Sequence, residues 1–365
     1  MAEMSITETE QASLYSAQQA YAGAHSRFYS EERAFTYAED LCREPESFLC
    51  VSPKEIARVI TLRTSGSTGA PKRVFFTEED IRKTEAFFYT GMQPMVRPGE
   101  TAAVFMGGGS GYTVGGLLQS ALARFGAKVR TAGFLTQEHI EAAQGAACLV
   151  GTPAQMALLA GQSPQLRPRT VLLSGERVPN AIRQRLERVW GAETFTHWGM
   201  CETGYGGAVE GADHHGLLIR NGSLLVQIID PFTGALLPTG AYGEIIFSTL
   251  DREGMPLLRY RTGDRGRLIP VPGGLPRLDT EIERLSERTL LSDGRVFSPL
   301  AADEIAFAED GVTDCRTELS GDRLRVTVRG RCPGLKEKLR DRWPALDITV
   351  IHTDAPLPFV HGKRI

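Results

Sequence analysis

Residues 57–73 read ARVITLR followed by TSGSTGAPKR. The first seven alternate and read as a strand. The next ten hold a run of glycines and small hydroxyl residues that ends on a Pro-Lys pair. Glycine lets a backbone come close to a ligand, and consecutive amides form a nest for an anion. The hydroxyls of Thr64, Ser65, Ser67 and Thr68 add donors, Gly66 and Gly69 add room, and Lys72 adds a mobile positive charge. The chemistry suits a triphosphate, although a flexible surface loop between two strands has the same composition. The order G-x-x-x-x-G-K-[ST] is absent, so this is not a Walker A loop.

Around this loop the pattern alternates. TEEDIRKTEAFFYTGM reads as a helix with Thr77 as N-cap and Asp80 three residues on. TAAVFM, AKVRTAG, AACLVG, TVLLSG and ETFTHWG are strand-like, and VGGLLQSALARFG and PNAIRQRLERVWG are helical. The first fifty residues read as helical and carry aromatic residues. Strand and helix in turn imply an α/β fold, a large domain with a mostly parallel sheet. From about 216 to 280 the chain turns β-rich, with NGS and DPFTG as hairpin turns. After about 284 a small α+β unit follows, with DRLRVTVRG and LDITVIH as strands and GLKEKLRDRW as a helix. The expected organisation is a short helical segment at 1–56, a core at 57–284 and a small mobile domain at 285–365.

The whole chain has 365 residues, 42% apolar and 23% charged, with a net charge of −3. That balance is globular and does not suggest a nucleic-acid partner. The polar start lacks a signal-peptide pattern, and no stretch approaches the roughly 20 apolar residues of a membrane span. The six cysteines are scattered without a CxxC pair, which argues against structural zinc and a disulfide framework. A cytoplasmic protein without a membrane partner is the default.

The order T-S-G-S-T-G-x-P-K resembles the phosphate loop of the adenylate-forming superfamily, the acyl- and aryl-CoA synthetases, peptide-synthetase adenylation domains and luciferases. Further stretches match in order. LLSGERVP (172–179) resembles the turn that lies along adenine, which implies that role for Gly175 and Glu176. HWGMCETG (197–204) resembles Y-G-x-T-E. By that match His197, Trp198, Gly199, Met200 and Cys201 border the nucleotide, Trp198 stacks on adenine, and Glu202 holds Mg²⁺. Cys201 stands where the family has Thr or Ser on the α-phosphate, and a thiol is the weaker donor. It also reads as a packed small residue.

GEIIFSTLDREGMPLLRYRTGD (243–264) resembles the phenylacetate-CoA ligase branch. There Asp264 is expected to accept hydrogen bonds from the ribose. Arg284 falls at the second ribose and phosphate contact, although a surface ion pair would also explain it. The hinge falls at Ser286 or Glu287, where the family has Asp or Lys. PLPFVHGKRI resembles the segment that carries the catalytic lysine, here Lys363. The resemblance implies ATP, Mg²⁺ and coenzyme A acting on a small-molecule carboxylic acid, with Lys363, Glu202 and Lys72 as catalytic residues. It implies that 285–365 swings about the hinge between half-reactions, when the turn at Gly294 would face the nucleotide. Phe105, Met106 and Tyr112 read either as the lining for an apolar, aromatic acid or as core at a strand end. The chain is shorter than typical members, which implies a reduced N-terminal subdomain and an acid pocket left open or closed by a second subunit. A homodimer is one arrangement that would do so. Transfer to a carrier protein, or ligand binding without catalysis, are the competing readings.

Overall fold

The computed structural model describes residues 6–62, 71–107, 111–132, 137–355, 357, 359–360 and 363–364. The chain divides into two compact units. One joins the residues up to Pro94 to His197–Thr280, and the other joins Met95–Thr196 to the residues from Glu281 on.

In the second of these units the apolar runs become parallel strands. Lys128–Thr131, Thr101–Val104, Cys148–Gly151, Thr170–Leu173 and the start of Glu193–Trp198 lie side by side in that order. Cys148–Gly151 and Thr170–Leu173 are buried at every position, as strands covered on both faces must be. The crossover helices start where the sequence supplies caps. Thr113 accepts from the Gly116 N–H, and Thr152 accepts from the Gln155 N–H just before Pro153. The helix Asn180–Trp190 ends on Gly191, whose φ of +70° suits a left-handed C-cap.

Residues after 281 complete the same unit. A hairpin pairs Thr289–Leu290 with Val296–Phe297, and Gly294 turns it at φ +80°. The helix Pro299–Phe307, capped by Ser298, follows. Val312–Ser320 pairs antiparallel with Arg323–Gly330, which pairs parallel with Asp347–Thr353. One apolar core runs through both sequence stretches. Leu149, Met156, Leu159, Ile182, Leu186 and Trp190 share it with Phe297, Phe307, Val312, Val326, Val328 and Trp343. Phe105 lies fully buried in this core, so its core reading is the one realised.

Arg185 ties these stretches together. Its guanidinium donates to the carbonyls of Val312, Phe307 (2.8 Å) and Glu309 (2.6 Å), the end of the 299–307 helix and the turn after it. The Phe307 carbonyl is one that a helix end leaves without an intrahelical partner, and Val312 opens the strand that follows. Glu304 caps the other end of the 180–190 helix through the Ala181 N–H at 2.9 Å. Arg177 reaches the fully buried Asp303 at 2.7 Å.

The first unit is built differently. Ile56–Leu62 pairs antiparallel with Lys72–Thr77, and Leu62 faces Lys72 across the ends of the glycine-rich loop. The helix Glu78–Met92 begins with the expected capping box, Thr77 and Asp80 bonding reciprocally at 3.0 and 3.1 Å. Asp80 also accepts the N–H groups of Glu253 (3.1 Å) and Gly254 (3.2 Å), which pins a distant loop to the helix start. Leu224–Ile229, Gly243–Thr249 and Tyr260–Gly266 form an antiparallel sheet. A second ladder runs from His197 and Trp198 through Ala208–Glu210, Leu217–Ile219, Arg277–Leu278 and Leu268–Ile269.

DPFTG makes the expected turn, Gly234 N–H bonding to the Asp230 carbonyl at 2.9 Å. NGS does not make a hairpin. The strands on either side of Asn221 and Ser223 belong to different sheets, because the chain changes ladder there. No helix among the described residues is long and apolar enough to cross a membrane.

Candidate active site

The strand Glu193–Trp198 runs into a single 3-10 turn, Cys201–Thr203. Met200 frames that turn: its N–H donates to Thr203 Oγ1 (3.1 Å), and its carbonyl accepts from the Tyr205 N–H (2.8 Å). Gly204 and Tyr205 close it with φ of +68° and +71°. Glycine takes that conformation freely, but a tyrosine there is held by its surroundings, a feature that clusters at functional sites. Arg58 supplies the hold, donating to the Tyr205 hydroxyl at 2.8 Å with its guanidinium over the ring. Burial, with Cys201 beside the hydroxyl, pushes the Tyr205 phenol above its ordinary range, against the pull of Arg58. Gly199 has no space for a side chain, since a Cβ there would lie 2.5 Å from the Tyr205 carbonyl oxygen.

The turn presents Glu202, only 3% exposed. Its Oε1 is the meeting point of the Lys72 ammonium and the Tyr260 hydroxyl, the latter at 2.6 Å. Burial raises the pKa of such a carboxyl, but Lys72 and Tyr260 outweigh it and hold Glu202 below its usual value. The backbone carbonyl of Glu202 accepts from Arg252 at 2.8 Å. Arg252 is itself buried, with its guanidinium 4.8 Å from the centre of the Phe76 ring and its backbone N–H on Gln18 at 2.7 Å.

Both side-chain contacts to Glu202 fall on Oε1. That donor set fits Mg²⁺, which takes one or two carboxylate oxygens and completes its shell with phosphate oxygens and water. Glu202 is the residue that would hold it.

A second pair joins the end of the strand Glu193–Trp198 to the strand Tyr260–Gly266. The indole N–H of Trp198 donates to Asp264 Oδ2 at 3.0 Å, with both residues less than a tenth exposed. His197 is half-buried beside the rings of Phe87 and Phe88, with centroid separations of 6.1 and 6.4 Å. Desolvation there pushes its imidazole down to about 4, so it is neutral at pH 7.

The structure thus joins Lys72 to Glu202 and Trp198 to Asp264, all in the unit of residues up to 94 and 197–280. Gly175, Glu176, Arg284 and Lys363 belong to the other unit. There Gly175 adopts φ +87° just beyond the strand Thr170–Leu173, and Glu176 is half-buried. Arg284 is exposed on the short strand Glu283–Arg284. Lys363 lies in a two-residue strand paired with Val360. Thr64, Ser65, Gly66, Ser67, Thr68 and Gly69 lie outside the described residues.

Tyr260, Arg252 and Arg58 were not singled out by the sequence. Tyr260 stood inside the quoted RYRT run, so the signal was there. Arg252 and Arg58 also stood inside quoted runs, GEIIFSTLDREGMPLLRYRTGD and ARVITLR, but nothing in their spacing marked their partners.

The chain belongs to the AMP-binding enzyme family, whose model matches residues 8–250. It is 29% identical over 281 residues to phenylacetate-coenzyme A ligase of Aromatoleum evansii, covering 72% of this chain and 62% of that one. To phenylacetate-coenzyme A ligase of Pseudomonas putida it is 29% identical over 317 residues, covering 81% of this chain and 71% of that one. The match thus spans about two thirds of these relatives' length. Among solved structures, 2-hydroxyisobutyryl-CoA ligase in the postadenylation state, in complex with 2-HIB-AMP, superposes with a TM-score of 0.81 at 18% identity, over 96% of this chain and 88% of that one. At that identity the likeness concerns the fold.

Proposed function

We propose that this protein activates a small carboxylic acid with ATP and passes the acyl group to the thiol of coenzyme A. The observation that carries the proposal is Glu202, buried, ionised and gripped by Lys72 and Tyr260. In the first step a carboxylate oxygen attacks the α-phosphorus, the bond to the bridging oxygen breaks, and pyrophosphate leaves. The thiolate then attacks the acyl carbon, the bond from that carbon to the phosphate oxygen breaks, and AMP leaves. Charge gathers on phosphate oxygens in the first transition state, and preorganised cations and donors lower that barrier. Bound Mg²⁺ would neutralise part of that charge.

Lys72 and Tyr260 hold the Glu202 carboxylate in one orientation and keep it anionic. The loop 64–69 is proposed to wrap the phosphates, Gly175 and Glu176 to border adenine, and Asp264 and Arg284 to contact the ribose. Residues 57–284 form the nucleotide-binding core of this proposal, and 285–365 bring Lys363 to the acid–phosphate junction. An aryl acid is the favoured substrate, because the similar ligases from Aromatoleum and Pseudomonas are named for phenylacetate.

The test is pyrophosphate release from ATP and Mg²⁺ against a panel of aryl and short-chain acids, with and without coenzyme A. Acid-dependent release that rises with coenzyme A is the expected result. Release indifferent to coenzyme A redirects the second step to a carrier-protein thiol, and no release with any acid defeats the proposal. Lys363→Ala is expected to abolish adenylate formation while a preformed adenylate still reacts with thiol. Equal loss of both steps would remove the distinct role given to Lys363.

A further inference from the structure

We infer that Trp198 is a positioning residue for ribose recognition, its indole N–H holding the Asp264 carboxylate as an aimed acceptor. The inference rests on the proposed nucleotide site and concerns one contact within it. Its first support is the hydrogen bond itself, 3.0 Å from Trp198 Nε1 to Asp264 Oδ2. An indole N–H only donates and an ionised carboxylate only accepts, so the contact has one possible sense.

The second support is that both partners are fixed. A Cβ on Gly207 would lie 2.6 Å from Trp198 Cε3 and 2.7 Å from Cζ3, so the indole packs directly onto a bare glycine. Asp264 follows Gly263, whose φ of +71° kinks the strand. The kink is anchored on both sides. The Gly263 N–H donates to Glu244, and the Asp264 N–H donates to the Thr262 hydroxyl at 2.9 Å, which itself donates to the Ile245 carbonyl at 2.6 Å. The ladder register shifts between Glu244 and Ile246, as a bulge that re-aims a side chain does.

The third support is chemical. A buried acceptor built for a hydroxyl rejects an analogue that lacks it, because the acceptor is then left without its partner. The rejection is only as sharp as the acceptor is fixed. A phenyl or phenol ring at position 198 would retain a π-face but has no N–H at this point of the ring. The indole therefore does something its aromatic face alone does not.

The experiment titrates AMP, 2′-deoxy-AMP and 3′-deoxy-AMP into the full chain and its Trp198→Phe and Asp264→Asn variants, by calorimetry. The wild-type protein is expected to prefer AMP over the weaker deoxy analogue by about tenfold or more. Trp198→Phe is expected to narrow that ratio to about threefold or less. Asp264→Asn should narrow it similarly, and the double variant should lose nothing beyond the larger single effect. In turnover, Trp198→Phe should raise KM for ATP and leave KM for the acid unchanged.

If Trp198→Phe weakens AMP and the deoxy analogues equally, the ring acts by contact alone and the inference is overturned. If Trp198→Phe does not fold, the indole N–H resonance of Trp198 in the wild-type protein serves instead. It should move when Asp264 is changed to Asn and be protected from exchange, and an unmoved resonance overturns the inference. Ribose discrimination that depends on Trp198, in a protein that releases no pyrophosphate with any acid, would sink the adenylation proposal and support this one. No AMP binding at all would sink both.

Discussion

In the unit of residues up to 94 and 197–280, the buried carboxylates of the site meet other side chains: Lys72 and Tyr260 on Glu202, Trp198 on Asp264. In the unit of 95–196 and 281–365, the buried guanidinium of Arg185 meets backbone carbonyls instead. Burial lowers both Arg185 and Arg252, yet a guanidinium keeps its charge in either setting. The difference lies in what can be exchanged. A carboxylate held by a lysine and a phenol can add a cation, and the lysine can turn to a phosphate. An arginine filling the carbonyls at a helix end has no such freedom, since each carbonyl it leaves costs free energy. The first arrangement suits chemistry and the second suits architecture.

That contrast can be broken in three places. Glu202→Ala leaves the Lys72 ammonium buried without its counter-charge, and should cost about 3–5 kcal/mol in urea unfolding. It should also end pyrophosphate release. A variant that unfolds normally and still turns over would remove Glu202 from the centre of the account. Arg185→Met takes a donor from three carbonyls, of which Glu309 keeps the Val312 N–H, and should cost about 2–3 kcal/mol. AMP affinity of the folded variant should not change, and a parallel fall in affinity would show that the two kinds of buried charge are not separable.

The smallest effect is with acid. The folded pKa of His197 lies near 4, below its ordinary 6.5, so the folded state binds fewer protons between those values. Stability should then decline by about 2 kcal/mol as pH falls from 6.5 to 4. Glu202, also depressed, adds to the decline once pH falls below its ordinary 4.5. His197→Gln should flatten the slope between pH 6.5 and 4.5, measured by urea midpoints at each pH. A slope that persists would place it in other groups.

Local chemistry was readable from spacing, and distant chemistry was not. Thr77 and Asp80 announced their capping box three residues apart. Nothing near Asp80 announced that Glu253 and Gly254 would donate to the same carboxylate. The parallel strands were legible as unbroken apolar runs, such as Cys148–Gly151. NGS misled because the dipeptide chemistry of a hairpin says nothing about which ladder the next strand joins. The helix Pro299–Phe307 has a start signal of its own, Ser298 then Pro299, directly after the hairpin. At the site, Glu202 and Asp264 stood out because they sit in motifs. Arg252 did not, since an arginine among Asp251 and Glu253 looks solvated until Phe76 and the Glu202 carbonyl are brought to it.

Each compact unit is sewn from two stretches that are not adjacent in the chain. The helix Asn180–Trp190 leaves the ribosome with Ile182 and Leu186 still lacking Phe307 and Val312, their later neighbours in the core. At roughly 5–20 residues per second, the stretch 197–280 delays those neighbours by several seconds. During that interval the helices Pro153–Gln162 and Asn180–Trp190 carry an uncovered apolar face, a hazard for a slowly assembling, long-range topology. A chain stopped at residue 280 would keep that face exposed for good. Its fate should be aggregation, whatever the state of the Glu202 turn.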